Sequence, residues 1–142
     1  MLVEDNMKDI DSYVNGLLDM ASSSSSVIGR SYVQAKVFSK KKYIKEFCEG
    51  IKFREIELEK SKCSLVEIFE DWFGDEHLLA TNLNYYITSR VSDVVNIYKL
   101  KNSSKVLDEL SCRKYGYVYF YEDLYFVEFD KCVICFILGN NE

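Results

Sequence analysis

The sequence predicts an α+β domain built on a mostly antiparallel sheet, and three patterns in its 142 residues lead to this fold class. Segments with period-two alternation, typical of strands, are interspersed with segments whose apolar residues recur three and four positions apart, as on one helix face. Connections near the C-terminus are too short to join parallel strands. An apolar fraction of 48% excludes disorder throughout the chain. We expect a single domain over residues 1–142, with helices packed mainly on one face of the sheet.

The most apolar stretch, residues 115–138, predicts a C-terminal three-stranded β-meander. Apolar and aromatic side chains alternate in three segments within it, at 117–121, 124–129 and 132–138. The polar pairs Glu122-Asp123 and Asp130-Lys131 separate these segments. A parallel crossover needs about a dozen residues or more, so such short connections allow only antiparallel neighbours. We therefore expect the meander at the centre of the sheet, with both of its apolar faces at least partly covered.

The remaining elements follow from local patterns. Apolar spacing of three and four predicts helices beginning near Val3, Lys41, Leu65 and Lys105, the first of them ending at the serine run of residues 22–26. Ser64-Leu65-Val66-Glu67 has the pattern of a capping box, which marks the start of the third helix. Strands are predicted over residues 31–38, 52–59, 83–88 and 94–100, the second as an edge strand and the last with a helix from Ser92 as its alternative.

Cysteine usage predicts neither a metal site nor a disulfide. Cys132 and Cys135 have the spacing of a zinc or redox pair, but residues three apart in a strand point to opposite faces, so the two thiols cannot meet at one ion. The other cysteines, Cys48, Cys63 and Cys112, follow no regular spacing. Reduced, mostly buried thiols in a reducing compartment fit this pattern best. We expect no metal and no cofactor.

Catalysis is not expected, because every common catalytic arrangement is incomplete in this sequence. His77 is the only histidine, and the residues just before it, Gly74-Asp75-Glu76, form no recognised nucleophile turn. No glycine-rich phosphate loop is present. We therefore predict that the protein is not an enzyme. A small enzyme that uses His77 remains the alternative.

Net charge predicts the class of partner. At −5, with a sequence pI of about 5.0, the chain repels nucleic acids and anionic bilayers and favours a basic protein. Acids near the N-terminus and the lack of an apolar run of about 18 residues predict a cytoplasmic protein without a signal sequence or membrane span. A sheet that binds single-stranded nucleic acid remains an alternative, with Tyr117, Tyr119 and Tyr121 stacking on bases beside the lysines of residues 40–45.

The C-terminal third of the chain resembles a known protein family. The segments that carry it are Asn96-Ile97-Tyr98-Lys99-Leu100, Lys105 to Leu110, Tyr117-Val118-Tyr119-Phe120, Leu124-Tyr125-Phe126-Val127 and Phe136 to Asn140. In order and size they resemble small bacterial immunity proteins of polymorphic toxin and contact-dependent growth inhibition systems. The resemblance implies an acidic, cytosolic α+β protein that binds and blocks a cognate toxin domain, often a nuclease, without catalysis of its own.

An acidic block predicts where such a partner binds. Its partner-binding residues are Glu67, Glu70, Asp71, Trp72, Asp75 and Glu76. A nuclease cleft must be basic to attract its substrate, so carboxylates speed association and compete with that substrate, and Trp72 adds an aromatic anchor. A second acidic row, Glu55, Glu57 and Glu59, is diluted by neighbouring lysines. A solvated acidic helix without a partner is the alternative for any one of these residues.

Overall fold

The described residues form four helices and one five-stranded sheet. A computed structural model describes residues 3–24, 31–51, 56–73, 77–101 and 120–140. The helices are α1 (Val3–Ser24), α2 (Tyr43–Ile51), α3 (Leu65–Trp72) and α4 (His77–Arg90). The strands are β1 (Ser31–Ser39), β2 (Leu58–Lys60), β3 (Asn96–Leu100), β4 (Phe120–Glu128) and β5 (Cys132–Asn140). Their order is β1-β5-β4-β3-β2 with every pair antiparallel, which confirms the predicted fold class.

The hairpin of β4 and β5 occupies the centre of the sheet. Strand β5 pairs with β1 on one side and β4 on the other, and β4 also pairs with β3. The turn at Asp130-Lys131 is confirmed, and it is closed by the amide of Phe129 donating to the carbonyl of Cys132 at 2.9 Å. The described part of the predicted meander is therefore a two-stranded hairpin at the centre of the sheet.

The predicted break at Glu122-Asp123 is wrong. Strand β4 runs without interruption from Phe120 to Glu128, with a register shift between Tyr121 and Asp123. A β-bulge inserts an extra residue into one strand without ending the pairing, so two polar residues need not make a turn. Residues 117–119, most of the first predicted meander strand, lie outside the described residues.

Each face of the sheet is covered by helices. Three helices pack on one face in the major core, which includes Val14, Leu18, Phe69, Leu83 and Ile87 from the helices and Ile134, Phe136 and Leu138 from the sheet. Helix α2 packs on the other face in the minor core, which includes Phe47, Phe126, Val133 and Cys135. The alternation along β5 sends neighbouring side chains into different cores, since successive strand residues point to opposite faces.

The prediction of a strand at residues 83–88 is wrong, because these residues belong to α4. The buried residues of that helix are Ala80, Leu83 and Ile87, whose spacing of three and four is helical. Tyr85 and Tyr86 favour strands by propensity, but packing against the core overrides such weak preferences.

Other predicted boundaries differ at their ends. The strands at residues 31–38 and 94–100 are confirmed as β1 and β3, and β2 is an edge strand limited to Leu58–Lys60. Residues 52–55 of its predicted range lie outside the described residues. Helix α1 continues into the serine run as far as Ser24. The helix predicted over residues 105–113 also lies outside the described residues.

Part of the outer edge of β1 is covered by side chains of α1. The amide group of Asn15 donates to the carbonyl of Ala35 at 2.9 Å and accepts from the backbone amide of Ala35 at 2.9 Å. The carboxylate of Asp11 accepts from the amide of Val37 at 3.3 Å. These bonds satisfy edge groups that would otherwise be a template for strand addition.

Candidate protein-binding surface on the α3–α4 hairpin

Helix α3 is oriented by its cap and by its buried face. The Ser64 hydroxyl accepts from the amide of Glu67 at 3.2 Å, and the Glu67 carboxylate accepts from the amide of Ser64 at 3.0 Å. This is the predicted capping box. Leu65, Ile68 and Phe69 are buried, and the ring of Phe69 meets that of Phe136 edge-on with centroids 5.6 Å apart. Helix α3 is therefore anchored to the sheet, with its acidic side facing away from the core.

Helix α4 buries one face and exposes large side chains on the other. Ala80, Leu83 and Ile87 lie in the major core. On the opposite side Leu78 is 73% exposed and Tyr85 is 64% exposed. Seven residues are about two helical turns, so these two side chains lie on the same stripe, about 10 Å apart along the axis. Tyr86 lies beside them, with its ring centroid 5.7 Å from that of Tyr85.

The exposed face of α4 carries no formally charged side chain before its last residue. From Leu78 to Ser89 the sequence holds no lysine, arginine, aspartate or glutamate, and Arg90 ends the helix. The outer face of a surface helix is normally charged or polar. Depletion of charge together with exposed tyrosine is instead the composition of the centre of a protein–protein interface.

The outer face of α1 provides a contrast within the same molecule. It also exposes two large side chains seven residues apart, Tyr13 and Met20. Exposed charged residues, Lys8, Asp9 and Asp19, lie along the same helix. Single apolar residues among charges are ordinary on protein surfaces. The distinguishing feature of α4 is therefore its uncharged surroundings.

The predicted acidic site is only partly available to a partner. The carboxylate of Glu67 is engaged in the capping box, and that of Glu70 lies 3.2 Å from the imidazole of His77. Asp71 is exposed. Trp72 is half-buried against the major core, and its indole nitrogen is buried without a hydrogen-bond partner within the described residues. The other two predicted residues, Asp75 and Glu76, lie outside the described residues.

The contact between Glu70 and His77 joins the acidic helix to the uncharged one. The carboxylate lies at Nδ1 of the imidazole, and the hydroxyl of Thr81 lies 3.5 Å from Nε2. The carboxylate of Glu70, the imidazole of His77 and the hydroxyl of Thr81 are therefore arranged in the same sequence of contacts as a catalytic triad. The imidazole is 75% exposed, however, and water at such a site weakens the electrostatic effects that activate a nucleophile. The arrangement supports a surface contact between two helices better than a catalytic centre.

Leu78, Tyr85 and Tyr86 were missed by sequence reasoning. The predicted strand at residues 83–88 would place Tyr85 and Tyr86 on opposite faces. The available signal was the combination of helical spacing at Ala80, Leu83 and Ile87 with the lack of charge around it. Together these features predict a helix with one buried face and one uncharged exposed face.

The thiols of Cys132 and Cys135 lie on opposite sides of the sheet, as predicted from their spacing. Cys132 belongs to the major core and Cys135 to the minor core. Burial raises the pKa of Cys132 to about 11 and raises that of Cys135 further. Both side chains are therefore protonated near neutral pH and are weak nucleophiles and metal ligands. Within the described ranges no group of three or more histidine, cysteine or acidic side chains is placed to hold a metal ion.

Comparisons with known proteins do not assign the chain to a family. No protein-family model, no curated protein and no solved structure matches it. In the part of the chain that the structure describes, no helix is both long and apolar enough to cross a membrane.

Proposed function

We propose that this chain is a protein-binding module, and that it acts as an immunity protein that neutralises a cognate toxin domain in the bacterial cytosol. The observation that supports a binding role is the uncharged outer face of α4, on which Leu78, Tyr85 and Tyr86 are exposed. Tyrosine and leucine exposed at helical spacing suit a flat or grooved protein surface, where they lose water on binding. The immunity role is what the resemblance of the C-terminal third implies.

Charge favours a basic partner for this surface. Glu70 and Asp71 lie on the helix that precedes α4, and Glu70 contacts α4 through His77. The net charge of the chain is −5. A toxin that cuts nucleic acid must present a basic cleft, so an acidic rim next to an apolar centre would steer the two proteins together. Covering that cleft would block the substrate without any chemistry by the inhibitor.

The proposal is tested by rescue of growth. The reading frame next to the gene is expressed alone and together with this chain, with toxicity as the readout. We expect killing by the neighbouring product alone and growth when this chain is present. If the neighbouring product is harmless, or if it kills equally in the presence of the folded chain, the immunity role is wrong.

A charge-reversal pair tests the acidic rim separately. Glu70→Lys with Asp71→Lys places two positive charges on α3, whereas Glu46→Lys with Glu49→Lys places them on the exposed side of α2. We expect the first pair to weaken the complex at least about tenfold, mainly through slower association at low salt, and the second pair to change affinity much less. Equal effects of the two pairs would show that overall charge, not this rim, attracts the partner.

Two alternatives have direct tests of their own. The chain of contacts through Glu70, His77 and Thr81 makes His77 the residue on which an enzymatic role would depend. Rescue that is lost in His77→Ala, with the complex still formed, would favour the enzyme.

Binding of single-stranded DNA that weakens steeply with salt in a gel-shift titration would favour the nucleic-acid alternative.

A further inference from the structure

A cleft at the C-terminal end of α4 is lined by none of the residues assigned to the proposed interface. It lies where four segments meet: the first turns of α1, the turn between β1 and α2, the end of α4 and the β4–β5 turn. Its volume is about 510 Å³, within the roughly 300–1,000 Å³ typical of sites for small molecules. The cleft is therefore large enough for a ligand of several carbon atoms.

The inner wall of the cleft is apolar and its rim is basic. Met7, Ile10, Val91 and Cys132 supply apolar surface. The rim carries the cations Lys40, Lys41, Arg90 and Lys131, with Asp130 as the one carboxylate among the described lining residues. A site with excess positive charge stands out in a chain whose net charge is −5. This combination fits an apolar body with one negative group.

Lys40 is the one cation of this rim that forms an ion pair within the described residues. The ammonium group of Lys40 lies 3.0 Å from the carboxylate of Glu128 and donates to the carbonyl of Asp130 at 3.3 Å. No ion pair within the described residues involves Lys41, Arg90 or Lys131. Arg90 in particular presents a planar fork of donors that matches the two oxygens of a carboxylate.

Two of the segments that carry the rim are held together by hydrogen bonds. The amide of Asp130 donates to the hydroxyl of Ser92 at 2.9 Å, which ties the β4–β5 turn to the segment after α4. The amide of Val91 donates to the carbonyl of Ile87 at 2.9 Å and so extends the end of α4. Arg90 and Lys131 thus project from two segments that are held together. The backbone of the site is therefore preformed, and binding has to order mainly the rim side chains.

We infer that this cleft binds a small organic carboxylate with an apolar body, whose carboxylate pairs with Arg90 and Lys131 while its hydrocarbon part contacts Met7, Ile10 and Val91. This inference is independent of the proposed toxin partner, since the cleft shares no lining residue with the proposed interface. A carboxylate without an apolar body lacks the hydrophobic contacts, and a neutral molecule lacks the charge pairing.

The probe is sodium octanoate, titrated into the full chain while backbone amide shifts are followed by NMR. Acetate, which lacks the chain, octan-1-ol, which lacks the charge, and inorganic phosphate are titrated in parallel. We expect saturable shifts at Met7, Ile10, Val91 and Cys132, with octanoate binding at least about tenfold more tightly than the other three probes. Shifts that do not saturate, that map elsewhere, or that octan-1-ol or phosphate produces equally well would overturn the inference.

Substitution of the rim cations tests whether octanoate binds at this cleft or is attracted to positive charge anywhere on the surface. Arg90→Gln with Lys131→Gln removes two rim cations, and Lys45→Gln with Lys62→Gln removes two exposed lysines that do not line the cleft. We expect octanoate to bind about tenfold more weakly to the first variant and almost unchanged to the second. Unchanged dispersion of the remaining amide signals checks the fold. Equal affinity in the two variants would contradict the site.

Discussion

Two hairpins of this protein are rich in apolar and aromatic residues, and they use them differently. In the β4–β5 hairpin, Phe126 and Phe136 are completely buried, on opposite faces of the sheet. In the α3–α4 hairpin, Leu78, Tyr85 and Tyr86 face solvent. The first hairpin stabilises the fold, because layers of helix cover both of its faces. The second has one face left exposed once the core is filled, and that is the face that we propose binds a partner.

Aromatic content alone therefore does not distinguish core from interface. Both hairpins attach to the same core, since Phe69 of α3 contacts Phe136 of β5. A central strand has two faces to bury, whereas a helix at the surface has only one. Substitutions in the two hairpins should therefore separate cleanly into effects on stability and effects on binding.

The largest expected effect is on the stability of the central hairpin. Phe136→Ala removes a fully buried ring that packs against Phe69, and we expect a loss of about 3–5 kcal/mol in the free energy of unfolding. Denaturant titration followed by circular dichroism measures it. Tyr85→Ala is the matched control on the exposed face, expected to change stability by less than about 0.5 kcal/mol. Similar losses in the two variants would break the distinction between the hairpins.

An intermediate loss of stability is expected when the hydrogen bonds between the Asn15 side chain of α1 and the backbone of β1 are removed. Asn15→Ala removes both hydrogen bonds to the backbone of Ala35 and leaves those edge groups without their side-chain partner. We expect a loss of about 2 kcal/mol, measured in the same titration. Asn82→Ala, at an exposed position of α4, is the control and should be nearly neutral. A neutral Asn15→Ala variant would contradict this prediction, because it would show that water replaces these hydrogen bonds without loss of stability.

A smaller, pH-dependent effect is expected at Glu128. A hydrogen bond from Asn96 at 2.9 Å, and next the ammonium group of Lys40, lower the pKa of its carboxyl. Because the folded state has the lower pKa, this stabilisation is present above the unfolded pKa of about 4.3 and is lost as the pH falls through the folded value.

Comparison with Glu128→Gln measures that contribution. At pH 6 we expect the wild-type chain to be more stable than the variant by on the order of 1 kcal/mol. The difference should shrink as the pH is lowered to about 3, since the wild-type carboxyl is then becoming protonated. Denaturant titrations at several pH values provide the test. A difference that stays constant, or that grows toward acid pH, would contradict the assigned role.

The parts of the fold that could be predicted are those that local sequence decides. Alternation in residues 132–138 predicts β5 because strand geometry sends successive side chains to opposite faces, whichever elements cover them. The cap at Ser64 and Glu67 likewise depends on residues three apart. By contrast, the bulge near Asp123 depends on pairing with β5, a partner that the local sequence of β4 does not specify.

The candidate surface could be predicted only in part, because exposure depends on tertiary packing. The acids of α3 are recognisable as a block, but the engagement of Glu67 and the contact of Glu70 with His77 follow from how the two helices are placed. Whether Leu78 is buried or exposed depends on which face of α4 meets the sheet. Trp72, predicted as an anchor for a partner, is half-buried and packs partly against the major core.

Substitutions on the exposed face of α4 should change stability least and binding most. Leu78→Ser with Tyr85→Ser alters two exposed side chains of α4, and we expect the free energy of unfolding to change by less than about 0.5 kcal/mol. Tyr13→Ser with Met20→Ser is the matched control, because it alters two exposed side chains at the same spacing on α1.

The most direct test of the binding surface is growth rescue by these two double variants, measured beside their stability. If the outer face of α4 binds the toxin, the α4 variant should fold normally and fail to rescue growth or to form the complex, while the α1 variant does both. Full rescue by a folded α4 variant would contradict the assignment of this surface.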